Sequence, residues 1–361
     1  MKLVFIVPNI NNEGGVARVL SIKINYLIEK LGYEIHIITQ NKGNFPLFYN
    51  FNQKVVFHDI LLNKYSILFL YSYQKQIKNL INAINPKHII VADNGLKSFF
   101  LPFMLHQYNL LLEIHSSLYI EDASNQNQFL KYLQRNLKIS LANKFSASVF
   151  ESIENKLEWK SKNAIVIPNP LWFSAAEKSS LKNKKVIAVA RHTYEKGLDR
   201  LLIIWSEIIK KHPDWQLEIY GSDSQKMDLS QLASDLQITK NCTFFTPVQN
   251  IDTKLSEASI FVLTSRFEAF GMVLIEAMEA GLPCIAYDCP CGPRTIIEDN
   301  QNGFLIENGN KNEFVSRLSL LIQDKNLRQQ MGKQASMSVI KYDLISIMNQ
   351  WKTVFERREL L

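Results

Sequence analysis

Short apolar runs alternate with longer stretches whose apolar positions recur every three or four residues, along nearly the whole chain. Runs of the first kind read as strands buried on both faces, and the alternation is that of parallel α/β layers. In the first half, strands are expected at residues 2–10, 34–40, 54–60, 88–94, 109–117, 145–150 and 164–170. A second series follows at 184–192, 216–222, 242–247, 259–265, 283–289 and 303–307, and beyond residue 310 the pattern is helical only. Between the series, after Pro168-Asn169-Pro170, lies a Ser- and Lys-rich stretch that reads as a linker. The predicted fold class is α/β, two doubly wound parallel-sheet domains facing a central cleft. The first takes residues 1–175 and the second 176–340, with a helix in 341–361 packing back on the first.

The length of 361 residues exceeds what one hydrophobic core supports, in keeping with two domains. A composition 47% hydrophobic and 21% charged excludes disordered and fibrous classes. No apolar run reaches the roughly 18 residues that span a bilayer, and Met1-Lys2 leads into a short apolar run without a small-residue cleavage site. The expected place is the cytoplasm, on or near the inner face of the plasma membrane. A net charge of +7 favours anionic partners, such as nucleotide phosphates or an anionic membrane surface. Nucleic acid is not expected, because the basic residues are dispersed and no aromatic-interleaved motif accompanies them. Cys242, Cys284, Cys289 and Cys291 form no disulfide framework, and no second Cys or His pair completes a zinc spacing. They read as packing and loop residues, with no metal expected.

In open α/β sheets ligands bind beyond the carboxyl ends of the strands, so the strand-to-helix turns carry the interest. After the first strand, Gly14-Gly15 opens a helix and lets backbone approach an anion or a sugar hydroxyl, or else serves only the turn. The turn is neither G-x-G-x-x-G nor a P-loop. Arg191 and Lys196 follow the strand at 184–192, where two cations could stabilise a departing diphosphate, or form an ordinary basic loop. Glu268 lies in the turn after the strand at 259–265. Glu276 sits eight positions on, inside the following helix, in an apolar setting where a carboxylate needs hydrogen-bond donors such as sugar hydroxyls. Glu279 reads as a surface charge. His115, at a strand end before Ser116-Ser117, suits a hydrogen bonder or a proton shuttle near pH 7. Gly292-Pro293 offers a further turn with accessible amides. The stretch 128–144 sets Lys131, Arg135, Lys138 and Lys144 beside Phe129, Leu130, Leu133 and Leu137. That spacing suits either an interfacial helix or a helix packed on its sheet with a solvated basic face.

Together these residues resemble the retaining glycosyltransferases of family 4, over nearly the whole chain. The most specific part is E-x7-E, here Glu268-AFGMVLI-Glu276 followed by AMEAGLP. The resemblance implies the GT-B fold, with an acceptor-side first domain and a donor-binding second domain. It implies that Glu268 lies near the transferred sugar, that Glu276 holds the ribose, and that Ala269, Phe270 and Gly271 line the donor between them. Arg191 and Lys196 match the diphosphate cations, Gly14 and Gly15 the glycine turn, His115 the sugar-proximal histidine, and Asn169 the stretch at the domain junction. His192, Thr193 and Pro247 depart from the family pattern near the base-contacting segment. DCPCGPRTII is most similar to members that build bacterial surface polysaccharides from UDP-hexoses or UDP-N-acetylhexosamines. The implied activity is metal-independent transfer from a UDP-linked sugar, a co-substrate rather than a cofactor, to a glycan or lipid-linked acceptor. The competing expectations are a GT-B-like epimerase or hydrolase, and a catalytically silent sugar-nucleotide-binding subunit.

Overall fold

The computed structural model describes residues 1–357 apart from 44, 64, 66–67, 121–126, 176 and 224–226. The chain divides into two units, Met1–Pro170 with Ile345–Leu361, and Leu171–Leu344.

The first unit holds a seven-stranded parallel sheet: β1 (Lys2–Ile6), β2 (Glu34–Gln40), β3 (Val56–Ile60), β4 (His88–Val91), β5 (Asn109–Ile114), β6 (Ala147–Phe150) and β7 (Ala164–Val166), in the order β3-β2-β1-β4-β5-β6-β7. Its helices are α1 (Gly15–Leu31), α2 (Phe69–Ile84), α3 (Gln128–Ala142) and α4 (Ile153–Trp159). Leu3, Val4, Phe5 and Ile6 of β1 are all fully buried, as a strand covered on both faces requires.

The second unit holds a six-stranded parallel sheet: β8 (Lys185–Val189), β9 (Gln216–Tyr220), β10 (Cys242–Phe245), β11 (Ile260–Leu263), β12 (Cys284–Asp288) and β13 (Gly303–Glu307), in the order β10-β9-β8-β11-β12-β13. The helices are α5 (Leu198–Ile208), α6 (Leu229–Asp235), α7 (Ile251–Ser256), α8 (Met272–Glu279), α9 (Pro293–Ile296), α10 (Lys311–Gln323) and α11 (Lys325–Ser338). The last helix, α12 (Leu344–Glu356), belongs to the first unit, where Lys87 Nζ and His88 Nε2 reach the carbonyl of Phe355 at 3.2 and 2.9 Å. It buries Ile347, Met348, Trp351, Val354 and Phe355, each worth about 1.5–3 kcal/mol when fully covered. Residues 358–361 of the expected terminal helix lie outside the described residues.

Thirteen strands stand where the apolar runs put them, but β1, β4, β5, β7 and β8 stop three or four residues short of those runs. The residues so released, among them Asp93, His115, Asn169 and Arg191, are polar groups that a ladder buried on both faces cannot hold. The boundary lies at Pro170–Leu171 rather than near residue 175. Leu171 is buried in the second core, and its N–H donates to the carbonyl of Tyr342 at 2.8 Å.

Candidate functional site

In the second sheet the strand order reverses between β8 and β11, which pair directly through Ile260 with Val186 and Phe261 with Ile187. Such a reversal leaves a crevice at the strands' carboxyl ends. The turns leaving these two strands carry Arg191, Lys196 and Glu268, and they touch because of a glycine. Gly197 has φ 62°, and a Cβ there would run into the Thr264 carbonyl oxygen. Thr264 Oγ1 in turn donates to the Gly197 carbonyl at 2.9 Å.

The contact sets the Lys196 ammonium on both carboxylate oxygens of Glu268, at 2.8 and 2.9 Å, and Ser265 Oγ donates to Glu268 Oε1 at 2.6 Å. Arg266, which the sequence reading passed over, laces the turns together. Its guanidinium takes both oxygens of Asp199 at 2.8 and 2.6 Å, donates to the Tyr194 carbonyl at 2.7 Å and lies over the Tyr194 ring at 4.0 Å. Bidentate geometry and stacking are what guanidinium offers and ammonium does not. Arg191 is half exposed, with Nη2 3.3 Å from Glu195 Oε1.

Glu268 N–H also donates to the Pro290 carbonyl at 3.3 Å. Gly292, at φ 88°, lies against the Phe270 carbonyl where a Cβ would clash, so the expected Gly292-Pro293 turn backs the motif directly. The ring of Phe270 is core, 1% exposed and edge-on to Tyr342 at 5.4 Å. Ala269 is nearly buried, and Gly271 takes φ 92° at the start of α8.

Glu276 is fully buried on α8, and its Oε1 accepts the indole N–H of Trp172 at 2.9 Å. Glu279 corrects the sequence reading. It is 8% exposed and accepts the Ala175 N–H at 3.0 Å and Lys178 Nζ at 2.7 Å. The polar stretch after Pro170 is therefore not a free linker. Trp172 and Lys178 fasten it to two carboxylates one helical turn apart, which must be compensated once buried. His192 is buried against the edge of Phe244, and burial lowers its pKa, so it is neutral near pH 7. All four cysteines are buried, and among the described residues no cluster of three His, Cys, Asp or Glu could hold a metal ion.

In the first unit a second polar cluster surrounds His115. Its Nδ1 lies 2.6 Å from Glu151 Oε1, which also accepts Asn169 Nδ2 at 2.7 Å, and its Nε2 lies 3.4 Å from Glu113 Oε1. Glu113 is bonded in turn by Lys23 of α1, whose ammonium stands 3.7 Å over the ring of Trp351 on α12. Lys23, Glu113 and Glu151 are buried, and the His115 side chain is 5% exposed. Burial alone would push the imidazole down, but Glu113 and then Glu151 hold its pKa up at about 9. Burial likewise works against Glu113, and Lys23 with His115 brings it down to about 2. The two carboxylates outweigh desolvation and hold His115 as an imidazolium at pH 7. Glu113, Glu151 and Lys23 were not legible as its partners.

The reversal of the first sheet falls between β1 and β4. Beyond β1, Gly14 donates its N–H to Asn12 Oδ1 at 2.8 Å and Gly15 starts α1. Beyond β4, Asp93 accepts Gly95 N–H, Lys97 Nζ and Ser98 Oγ at 2.7–2.8 Å. A Cβ on Gly15 would meet nothing within 4 Å, and its φ lies outside the left-handed region, so folding does not require glycine there. Gly15→Ala is expected to leave the melting temperature unchanged or slightly raised, since alanine is the better helix former by roughly 0.5–1 kcal/mol. If backbone approach to a ligand is the reason for glycine, donor KM rises about tenfold in the same variant. An unchanged KM would remove Gly15 from the site.

The family model "Glycosyl transferases group 1" matches residues 173–337. An uncharacterized glycosyltransferase of Haemophilus influenzae is 30% identical over 358 residues, covering 98% of this chain and 99% of the relative. The amylovoran biosynthesis glycosyltransferase AmsD of Erwinia amylovora is 28% identical over 369 residues, with coverage of 98% and 99%. Among solved structures, sucrose-phosphate synthase of Thermosynechococcus elongatus superposes with a TM-score of 0.83 at 18% identity, covering 98% of each chain. TarM of S. aureus superposes with a TM-score of 0.78 at 18% identity, over 99% of this chain and 100% of the other. These neighbours fix the fold class as GT-B. With a relative matched end to end, and a family model laid over the turns that join Lys196 to Glu268 and bury Glu276, this chain belongs to the group 1 glycosyltransferases.

Proposed function

We propose that the protein is a retaining, metal-independent hexosyltransferase of the family 4 type. It moves a hexose or N-acetylhexosamine from a UDP-linked donor to a glycan or lipid-linked acceptor, on the cytoplasmic side, in the synthesis of a surface polysaccharide. The observation that carries this reading is the Lys196–Glu268–Ser265 cluster at the switch point of the second sheet. A diphosphate gains negative charge as its glycosidic bond breaks, so an ammonium held there stabilises the transition state more than the bound donor. Arg191, close by in sequence and half exposed, is free to turn toward the same phosphates. Glu268, relieved of Lys196 by the diphosphate, faces the transferred sugar, and Glu276 receives ribose hydroxyls in addition to Trp172. In the first unit His115 is a fixed cation that can meet a sugar hydroxyl, and Asn169 holds its partner Glu151 in place.

The choice of UDP draws support from neighbours of the same fold. TarM was solved with UDP and α-GlcNAc-glycerol, HepE of Anabaena with UDP-glucose, and a pneumococcal O-GlcNAc transferase with UDP and GlcNAc. The surface-polysaccharide role draws on AmsD and on a poly(ribitol-phosphate) α-N-acetylglucosaminyltransferase of Staphylococcus aureus, 30% identical over 194 residues.

The test is a melting-temperature panel of UDP, GDP and their common sugars, since a ligand of the folded state alone raises its melting point. A UDP-sugar is expected to raise it, and Glu276→Ala is expected to weaken that binding about tenfold with a smaller effect on turnover. Loss of turnover with donor affinity intact would end the ribose assignment. Release of free sugar or an epimer from donor alone, at the rate seen with acceptor, would replace transfer by hydrolysis or epimerisation.

A further inference from the structure

Helix α3 does not pack its apolar face on the sheet with a solvated basic face, one of the two arrangements its spacing allowed. Its lysines 131 and 138 are buried, together with Leu141 and Ala142, while Phe129, Leu130, Tyr132, Leu133 and Leu137 are exposed. At about 100° per residue, Phe129, Leu130, Leu133 and Leu137 fall within roughly 100° of arc, with Lys131 and Lys138 on the far side. Single exposed apolar residues need no explanation, but a continuous helical face of large ones marks an interaction surface. An amphipathic helix kept for folding alone would turn this face to its sheet. Here the inner position is taken by lysine stems, with Lys138 Nζ 6.0 Å from the centre of the Phe99 ring.

The charge distribution names the occupant. The first unit carries 21 Lys and Arg against 13 Asp and Glu, and the second 20 against 21, so the whole excess of +7 resides with the unit that bears α3. Two exposed lysines stand at the end of the apolar face: Lys144 follows the helix, and Lys162 is fixed there by its N–H to Asn143 Oδ1 at 2.8 Å. No helix is long and apolar enough to cross a membrane among the described residues. An outward apolar stripe ending in cations on a basic unit fits a helix lying in the plane of an anionic bilayer, side chains among the acyl chains and lysines among the headgroups.

We propose that α3 is a membrane-docking helix that seats the first unit on an anionic lipid surface through Phe129, Leu130, Leu133 and Leu137. The inference stands apart from the donor reading, because neither its observations nor its test involves a sugar nucleotide. The test is co-sedimentation of the full chain with vesicles of phosphatidylcholine alone and of phosphatidylcholine mixed with phosphatidylglycerol. The native chain is expected to sediment with the anionic vesicles, less so at high salt. The triple variant Phe129→Ser, Leu133→Asn, Leu137→Asn is expected to bind at least about tenfold more weakly with its melting temperature maintained. The variant Lys144→Glu with Lys162→Glu, which leaves the apolar face intact, is expected to lose most of its preference for anionic lipid. Absence of binding, equal binding to neutral vesicles, or a triple variant that binds like the native chain would overturn the proposal. So would a native dimer that the triple variant dissociates while vesicle binding persists, since the face would then be a subunit interface.

Discussion

Replacing Glu113 with glutamine is expected to destabilise the first unit by about 3–5 kcal/mol, the usual consequence of removing one partner from a buried ion cluster. Glutamine keeps the shape and loses the charge, leaving Lys23 and His115 as buried cations with only Glu151 near the imidazole. The native chain should melt above the variant by several degrees in calorimetry at pH 7. Glu113→Leu with Lys23→Met should recover much of the loss, because apolar side chains of similar volume replace a buried pair at little or no penalty. A melting point for Glu113→Gln equal to the native one would mean that the cluster is not buried as described.

The same cluster gives the pH dependence a definite sign. His115 has its pKa raised from 6.5 to about 9, so its contribution is fully present below pH 6.5 and is lost as pH rises through 9. Glu113 is depressed from 4.5 to about 2, so its contribution is present above 4.5 and lost as pH falls through 2. The His115 and Glu113 contributions together are therefore greatest between about pH 5 and 6.5 and decline toward pH 9, while Lys23, whose pKa burial lowers, acts in the opposite sense on the alkaline side. In Glu113→Gln the alkaline decline should begin at lower pH, because the main group holding the imidazolium is gone.

The second large effect is expected on turnover. Lys196→Ala should lower kcat/KM by roughly 10²–10³, the range for removing one group aimed at developing charge. The melting temperature should move little, since Lys196 is partly exposed and Glu268 keeps Ser265 as a donor. Glu268→Gln alone should also lose activity, and the two substitutions together should lose less than the sum of their separate effects, because each acts through the other. Turnover within a few-fold of native in Lys196→Ala would remove the diphosphate role. A kcat/KM loss matched by an equal fall in melting temperature would instead assign Lys196 to folding.

The strands and the chemistry-bearing turns were legible because both are local. A parallel strand covered on both faces must be an unbroken apolar run, so β1 to β13 announce themselves. Glu268, eight residues before Glu276 with a glycine between them at the helix start, is likewise a short-range pattern. What was not legible is the partner of each polar side chain. Lys23 meets Glu113 across 90 residues, Trp172 meets Glu276 across 104, and Arg266 meets Asp199 across 67. Composition gives no warning of such pairs, since each partner alone reads as an ordinary surface charge or core ring.

The sequence by itself thus determined the two parallel α/β units, the order of their elements and the turns where ligand chemistry concentrates, all of which follow from the periodicity of burial. Only the tertiary structure decided that His115 is a clamped cation, that Glu279 fastens the segment after Pro170, and that α3 turns its lysines in and its apolar face out. The physical reason is common to the three. A charge can be buried wherever a distant counter-charge or a lysine stem's packing compensates it, and which residues arrive opposite one another is set by how sheets and helices close, not by spacing along the chain.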